Sequence, residues 1–368
     1  MTEGINTTAS SVKNSGGKTF TQEINKRIND YFKSNNISRY ANTEMVIKTI
    51  FMFSLYLVPF FIMLSGTVSY PMVLLLYVVM GFGISGIGLS VMHDANHGSY
   101  SRKKWINKIL GYSLNILGGN ATNWIIQHNV LHHTYTNIDG LDEDISPRGI
   151  MRFSPHTERK SIHKYQHIYA WFLYSLMTIS WVLMKDIMQL QRYSKGGLLK
   201  KQNISEFRAW SWLIFSKIAY LGYTVALPVI LTPLLLWQAI LGLLIMHFIS
   251  GFVLAIIFQP AHVNESAEFP LLNSKGEVVD QWADHQMKTT MNFAQRNKIL
   301  SWYVGGLNYQ IEHHLFPNIC HVHYRKLSKI VKETAKEYGL PYLEKTTFTE
   351  AVIDHARLLK KLGKPTIA

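Results

Sequence analysis

An all-α membrane protein with four transmembrane helices and a cytoplasmic helical cap is predicted by three observations on the sequence. Apolar residues make up 48% of 368 positions, yet mean hydropathy is only +0.04, because the apolar residues gather in five long runs between strongly charged stretches. Charge sums to +14, from 37 Lys+Arg against 23 Asp+Glu. Sixteen histidines stand beside a single cysteine, Cys320.

Taken in order, residues 1–44 are polar, rich in Ser, Thr, Asn and Lys, and predict an N-terminal tail with a short amphipathic helix. No secretory signal is visible in them. Residues 45–345 predict the membrane domain. Its first two apolar runs, 49–66 and 72–92, are each close to the ~20 residues a span requires. The uncharged turn 66–71 joins them. Residues 93–167 are polar and His-rich. A third run covers 168–184, and the fourth and fifth, 218–237 and 239–258, follow. Residues 346–368 predict a C-terminal tail.

The loops orient the chain. The tail, the 93–167 segment and the C-terminal hundred residues are rich in Lys and Arg, whereas 66–71 and 232–238 carry no charge. Positive residues collect on the cytoplasmic side of spans, so both termini are expected there. An even number of spans must then separate 93–167 from 259–368, and three apolar runs lie between. The 168–184 run is the shortest and leads into Lys185 and Asp186, so it is expected to be interfacial or re-entrant. Lys217, at the start of the fourth run, is expected to snorkel to the headgroups. Gly81, Gly83, Gly86 and Gly88 in the second span predict close helix packing.

Composition excludes several classes. Helix-turn-helix, zinc-finger and RNA-binding signatures are missing, and the basic segments flank apolar runs, which favours a membrane surface over nucleic acid. One cysteine excludes an internal disulfide framework and a Cys-ligated metal site. A bound metal must be held by nitrogen and oxygen.

Three histidine boxes supply that nitrogen. His93-Asp94-Ala95-Asn96-His97 follows the second span directly. His128-Asn129-Val130-Leu131-His132-His133 is the second, and Gln310-Ile311-Glu312-His313-His314 the third. A pair at i,i+4 on a helix places two imidazoles on one face. One such pair is weak evidence, but three clusters flanking spans on one expected side are not. Seven imidazoles exceed one zinc ion, and the His-Glu-x-x-His arrangement is absent. Imidazole suits iron, copper and nickel. Ligands enough for two metals beside a membrane point to two irons activating O2 against an unactivated C–H bond. Asp94, Glu312 and Asn308 are candidates to hydrogen-bond the far nitrogens of the ligands.

At these residues the sequence resembles the membrane fatty acid desaturases. The three boxes occur in family order and spacing. Gln310 in place of a leading histidine, within Gly305-Gly306-Leu307-Asn308-Tyr309-Gln310-Ile311-Glu312-His313-His314-Leu315-Phe316-Pro317, resembles the front-end group, which desaturates between an existing double bond and the carboxyl end. The resemblance spans roughly 45–345. It implies that His93, His97, His128, His132, His133, His313 and His314 ligate two iron ions, with Gln310 a further candidate. It also implies one more imidazole after the last span, where His262 sits, with His285 in reserve or hydrogen-bonded to a ligand. The implied activity is O2-dependent desaturation of a lipid- or CoA-linked acyl chain, with two electrons from an external donor, a ferredoxin or a cytochrome b5-like protein. A fused cytochrome b5 domain with its heme motif is not expected, since 44 residues are too few to hold it. The implied location is an integral, multi-pass membrane protein, in the inner membrane if the source is a bacterium.

Two rivals share these features. A hydroxylase, ketolase or sphingolipid desaturase would use the same boxes. A metal transporter would place its histidines near the bilayer midplane, whereas these flank the spans. Among the other histidines, His247 is expected to be packed within its span or to line an acyl tunnel, His156, His163 and His167 to lie on a solvated or headgroup-facing surface, and His321 and His323 to support the third box.

Overall fold

The structure is a computed structural model that describes residues 19–147 and 149–365. Local sequence explains where its helices begin. Helix α1 (Phe20–Ser34) opens with a capping box in which Thr19 and Gln22 satisfy each other's backbone amides. Its apolar residues Phe20, Ile24, Ile28 and Phe32 recur every four positions and are all buried, as one face of a helix requires. It is the amphipathic helix expected before the first span.

Helices α2 (Thr43–Leu64) and α3 (Tyr70–Asn96) follow, then the short α4 (Lys104–Gly111) and the contiguous helical turns of α5 (121–135). Next come α6 (Ser161–Ser175) and α7 (Met177–Lys195), bent by 59° at their junction. Helices α8 (Glu206–Leu231) and α9 (Leu236–His262) are long and apolar. Later in the chain come α10 (Trp282–Thr289), α11 (Gln310–Leu315), α12 (Tyr324–Glu337) and α13 (Phe348–Leu362), with shorter helical pieces elsewhere. Strands β1 (Asn292–Phe293) and β2 (Glu344–Lys345) form a two-residue parallel ladder.

Four of these helices, α2, α3, α8 and α9, are long and apolar enough to cross a membrane, and the bent α6–α7 pair would make a fifth if it counted as one span. At 1.5 Å per residue, the 22 residues of α2 extend about 33 Å, enough for a hydrocarbon core. The break near Leu176 falls inside the 168–184 run expected to be interfacial or re-entrant. Helix α8 begins at Glu206, well before the apolar run that marked it in the sequence.

The described residues fall into two compact units. The apolar unit comprises 43–126 and 171–256. Ile50, Phe61, Ile218 and Ile230 leave more than half of their surface exposed on its helices, which water would penalise and lipid tails would not. Glycines allow its helices to approach closely. A Cβ on Gly81 would lie 2.7 Å from the Met246 carbonyl, and one on Gly83 would lie 2.9 Å from the Tyr56 amide. Lys217 departs from the snorkelling expectation. Its ammonium is buried, donating to Asp186 at 2.5 Å and to the carbonyls of Gly118 and Trp181. The earlier start of α8 places it deep in that helix. His247 is packed as expected, with Nε2 against the Tyr220 hydroxyl.

The polar unit comprises 1–42, 127–170 and 257–368, within its described residues. Its core joins the buried face of α1 to Leu327, Val331 and Ala335 of α12 and to Ile311 and Leu315 of α11. The segment expected to be a tail, 346–368, contains α13, capped by Thr347 and Glu350 and burying Ala351, Leu358, Leu359 and Leu362. Arg152 donates to the Leu362 carbonyl at 3.0 Å, fastening that helix. His163 is buried rather than solvated. Its Nδ1 accepts from the Lys160 amide and its Nε2 reaches the Gly149 carbonyl.

Candidate metal centre

Each box sits where local backbone geometry turns its imidazoles inward. In the polar unit, the second box lies on the wide π-helical stretch Ile125–His132 and the turn after it, so the expected α-helical spacing is widened there. Asn137, at φ 60°, ends this run in the left-handed region that Asn tolerates. Its side-chain amide donates to the His262 carbonyl at 2.9 Å and the Glu268 carbonyl at 3.0 Å. His262 closes α9.

The third box forms α11, preceded by Gly305 and Gly306 at φ 61° and 66°. A Cβ on Gly306 would lie 3.1 Å from Cβ of His321, so only glycine satisfies both the backbone and the close approach. Asn292 accepts the Ile311 amide at 2.9 Å and donates to Glu312 at 2.8 Å, and Tyr342 donates to the other Glu312 oxygen at 2.9 Å. Burial pushes the Glu312 carboxyl up to about 7.

These elements bring six imidazoles together. Ring nitrogens of His132, His262 and His314 lie within 4.8 Å of one another, and so do those of His133, His313 and His314. His128 stacks on His132 with ring centroids 5.2 Å apart. All six residues are buried. Gln310 is buried beside them in sequence, and neither atom of its amide has a hydrogen-bond partner. In the apolar unit, His93 and His97 of the first box lie at the end of α3, after the π-helical turn Ile87–Met92, with ring centroids 4.7 Å apart and Trp124 edge-on to both.

Acceptors fix the ring tautomers. Nδ1 of His128 lies 2.7 Å from Asp144, and Nδ1 of His132 lies 2.9 and 3.0 Å from the two oxygens of Asp142. Burial raises the Asp144 carboxyl, but its bond to His128 and the charge of both imidazoles outweigh this and carry it well below the usual carboxylate range. An ionised Asp144 can only accept, so His128 carries its proton on Nδ1 and presents a lone pair at Nε2. Gln286 does the same for His314. Its Oε1 lies 2.7 Å from Nδ1 while its Nε2 donates to the His133 carbonyl at 3.3 Å, which sets the amide orientation.

Glu312, Asn308 and His285, expected from sequence to be hydrogen-bond partners of ligands, are placed differently. Glu312 is taken by Asn292 and Tyr342. Asn308 donates to the Phe293 carbonyl and to Ser301. His285 donates from Nε2 to the Thr136 carbonyl at 2.8 Å, which steadies the chain just after the second box. Asp94 has a carboxylate oxygen 3.8 Å from Nδ1 of His93, beyond a hydrogen bond. His323 packs edge-on against Phe32. Sequence reasoning missed Asp142, Asp144 and Gln286. The acidic run Asp142-Glu143-Asp144 shortly after the second box was the available signal, and Gln286 adjoins the His285 that was singled out.

The cluster fits metal ions. With Nδ1 of both His132 and His314 facing an acceptor, a neutral pair would oppose two Nε2 lone pairs across 3.3 Å. Two such lone pairs repel unless positive charge lies between them. His262, fully buried, has at most a weak backbone interaction with Thr289 at its ring nitrogens, a costly state for a polar group unless a ligand takes it up. Imidazole donors suit iron, copper and zinc, and six exceed the four positions of one tetrahedral zinc.

Buried imidazoles with fixed tautomers, on a helical chain carrying four membrane-length apolar helices, define a histidine-rich integral membrane protein. Comparison with known proteins narrows the class. The fatty acid desaturase family model matches residues 69–346. The chain is 37% identical over 352 residues to the sn-1 linoleoyl-lipid 6-desaturase of Arthrospira platensis, covering 94% of this chain and 92% of that one. It is 34% identical to the enzyme of the same name from Synechocystis sp., covering 97% of this chain and 99% of that one. It is also 34% identical to the acyl-lipid (8-3)-desaturase of Physcomitrium patens, covering 92% of this chain and 71% of that one. The chain belongs to the fatty acid desaturase family and is an oxidoreductase that desaturates fatty acids.

Proposed function

We propose that this enzyme is a front-end acyl-lipid desaturase, inserting a cis double bond on the carboxyl side of an existing one in a glycerolipid-linked chain. Two irons would be held by His128, His132, His133, His262, His313 and His314. His93, His97 and Gln310 join this set on the family's motif order alone. The observation that carries the reading is the 3.3 Å approach of Nε2 of His132 to Nε2 of His314. The names of the relatives support the acyl-lipid substrate, and Gln310 at the head of the third box supports the front-end class.

The bound irons would supply O2 reduction and an oxidant strong enough for an unactivated C–H bond. The protein's part is positional. Asp142, Asp144 and Gln286 hold protons on the Nδ1 atoms, so the ligand lone pairs are aimed before metal arrives. Burial of all six imidazoles excludes water. In the overall reaction a CH2–CH2 unit loses two hydrogens and O2 becomes two waters. The donor supplies two electrons and solvent two protons. Both termini lie on the cytoplasmic side, in the inner membrane if the host is a bacterium.

Mass spectrometry of the product formed from linoleoyl lipid tests this reading. Loss of two hydrogens, with the new double bond on the carboxyl side of the existing ones, is the expected result. Gain of one oxygen would instead identify a hydroxylase on the same scaffold.

A further inference from the structure

We propose that the exposed face of α12 is the docking surface for the electron donor, and that the donor is a soluble protein with an acidic face. The proposal rests on the desaturase reading, which requires two electrons from outside the active centre. Arg325, Lys329, Lys332 and Lys336 recur at i, i+4, i+7 and i+11 along α12, and all four are exposed. That spacing puts them in one stripe, with exposed Lys326 beside it. Of the two exposed acids on this helix, Glu337 is already engaged by Arg27 from α1 at 2.6 Å, and Glu333, one turn after Lys329, borders the stripe. Lys332 pairs with Glu344 of β2, whereas no acid lies within one turn of Arg325 on the helix.

Charge alone does not distinguish a protein partner from a bilayer, but the apolar pattern does. Among the described residues, α12 exposes no large hydrophobic side chain. Helix α4 shows the opposite pattern. There Lys104 and Lys108 accompany Trp105 and Ile109, which are 60% and 63% exposed. Basic and apolar together mark a helix that lies in the headgroup layer. Basic without apolar marks a water-facing surface, which suits a soluble acidic protein.

The stripe also begins next to the metal cluster. Tyr324, adjacent to exposed Arg325, is buried, with its hydroxyl 3.4 Å from Nδ1 of His313. One residue therefore links the basic surface to an imidazole of the third box. An electron arriving at this face has a short covalent and hydrogen-bonded route to the cluster.

The test uses the full-length enzyme in lipid nanodiscs containing linoleoyl lipid. It is driven either by an acidic plant-type ferredoxin with its reductase, or by one round of dithionite reduction followed by O2. Arg325→Glu/Lys329→Glu is expected to raise the KM for ferredoxin about tenfold at low salt, with the difference shrinking as salt screens it. Its dithionite single-turnover yield should match the unaltered enzyme. Arg325→Gln/Lys329→Gln should give a smaller rise, and it decides the matter if the doubly reversed protein does not fold. An unchanged KM for ferredoxin overturns the proposal. A raised KM for the lipid, with that for ferredoxin unmoved, also overturns it and makes the face lipid-bound. Absence of single-turnover product from every form removes the desaturase reading itself, and the docking proposal with it.

Discussion

The side-chain oxygen of Gln286 lies 2.7 Å from Nδ1 of His314, and its amide nitrogen reaches the His133 carbonyl. One uncharged side chain thus sets the tautomer of an imidazole in the third box while gripping the backbone of the second. Gln286→Leu removes the acceptor, and such losses around a metal ligand typically reduce affinity or activity about 10–100-fold. Gln286→Glu keeps an acceptor at the same place and should lose much less. Iron content and desaturation rate measured on both variants check this. Equal loss in the two would assign Gln286 a packing role.

Asp144 faces Nδ1 of His128 in the same way, as an anion. Asp144→Asn keeps the shape but offers an amide that can donate as well as accept, which releases the tautomer. The expected result is weaker iron binding, again about 10–100-fold. Asn308→Ala touches no imidazole and should lower thermal stability with iron content per folded protein unchanged. Metal analysis of the folded fractions separates the two.

The Lys217–Asp186 pair is buried between α8 and α7 within the apolar unit. Removing one partner leaves the other charged and unpaired, at a typical cost of about 3–5 kcal/mol. Lys217→Met should therefore destabilise more than Lys217→Met/Asp186→Asn, in which both charges go. Denaturation of the detergent-solubilised protein measures the difference. A double variant worse than the single one would contradict the account.

His355 on α13 lies with Nδ1 2.6 Å from the Val263 carbonyl, and burial lowers its pKa to about 4. The unfolded chain binds a proton near pH ~6.5, so between these values the unfolded state holds more protons and stability rises with pH. The contribution is fully present above pH ~6.5 and is lost as pH falls toward the folded value. A tenfold difference in proton affinity between the two states is worth about 1.4 kcal/mol. Stability measured from neutral pH down to about pH 5 should fall, and His355→Gln should flatten that slope. An unchanged slope in the variant would move the effect elsewhere.

Most of the scaffold was legible because its signals are local. Apolar runs of span length announced α2, α3 and α9, and each box holds its histidines within six residues. His262 was visible only through the family resemblance, since an isolated histidine at a helix end has no pattern of its own. Gln286 and Asp144 left only faint signals, because each meets its imidazole across 28 and 16 positions of chain, and only folding brings them together. Lys217 was misjudged for a related reason. Its partner Asp186 lies 31 positions away, and the apolar run that located α8 starts after the helix does. Helix α13 could have been read, because Thr347 and Glu350 form a capping box ahead of Ala351, Leu358, Leu359 and Leu362.

On the proposed reading, the imidazole cluster holds two irons that drive desaturation. Iron content and fatty acid methyl esters, measured together in a host lacking polyunsaturated lipids and fed linoleate, test it most directly. Two irons per chain and a product with one more double bond on the carboxyl side are expected for the unaltered enzyme, and neither for His132→Ala. The same product from His132→Ala, or a folded unaltered enzyme that carries iron with a matched donor and makes none, would contradict it.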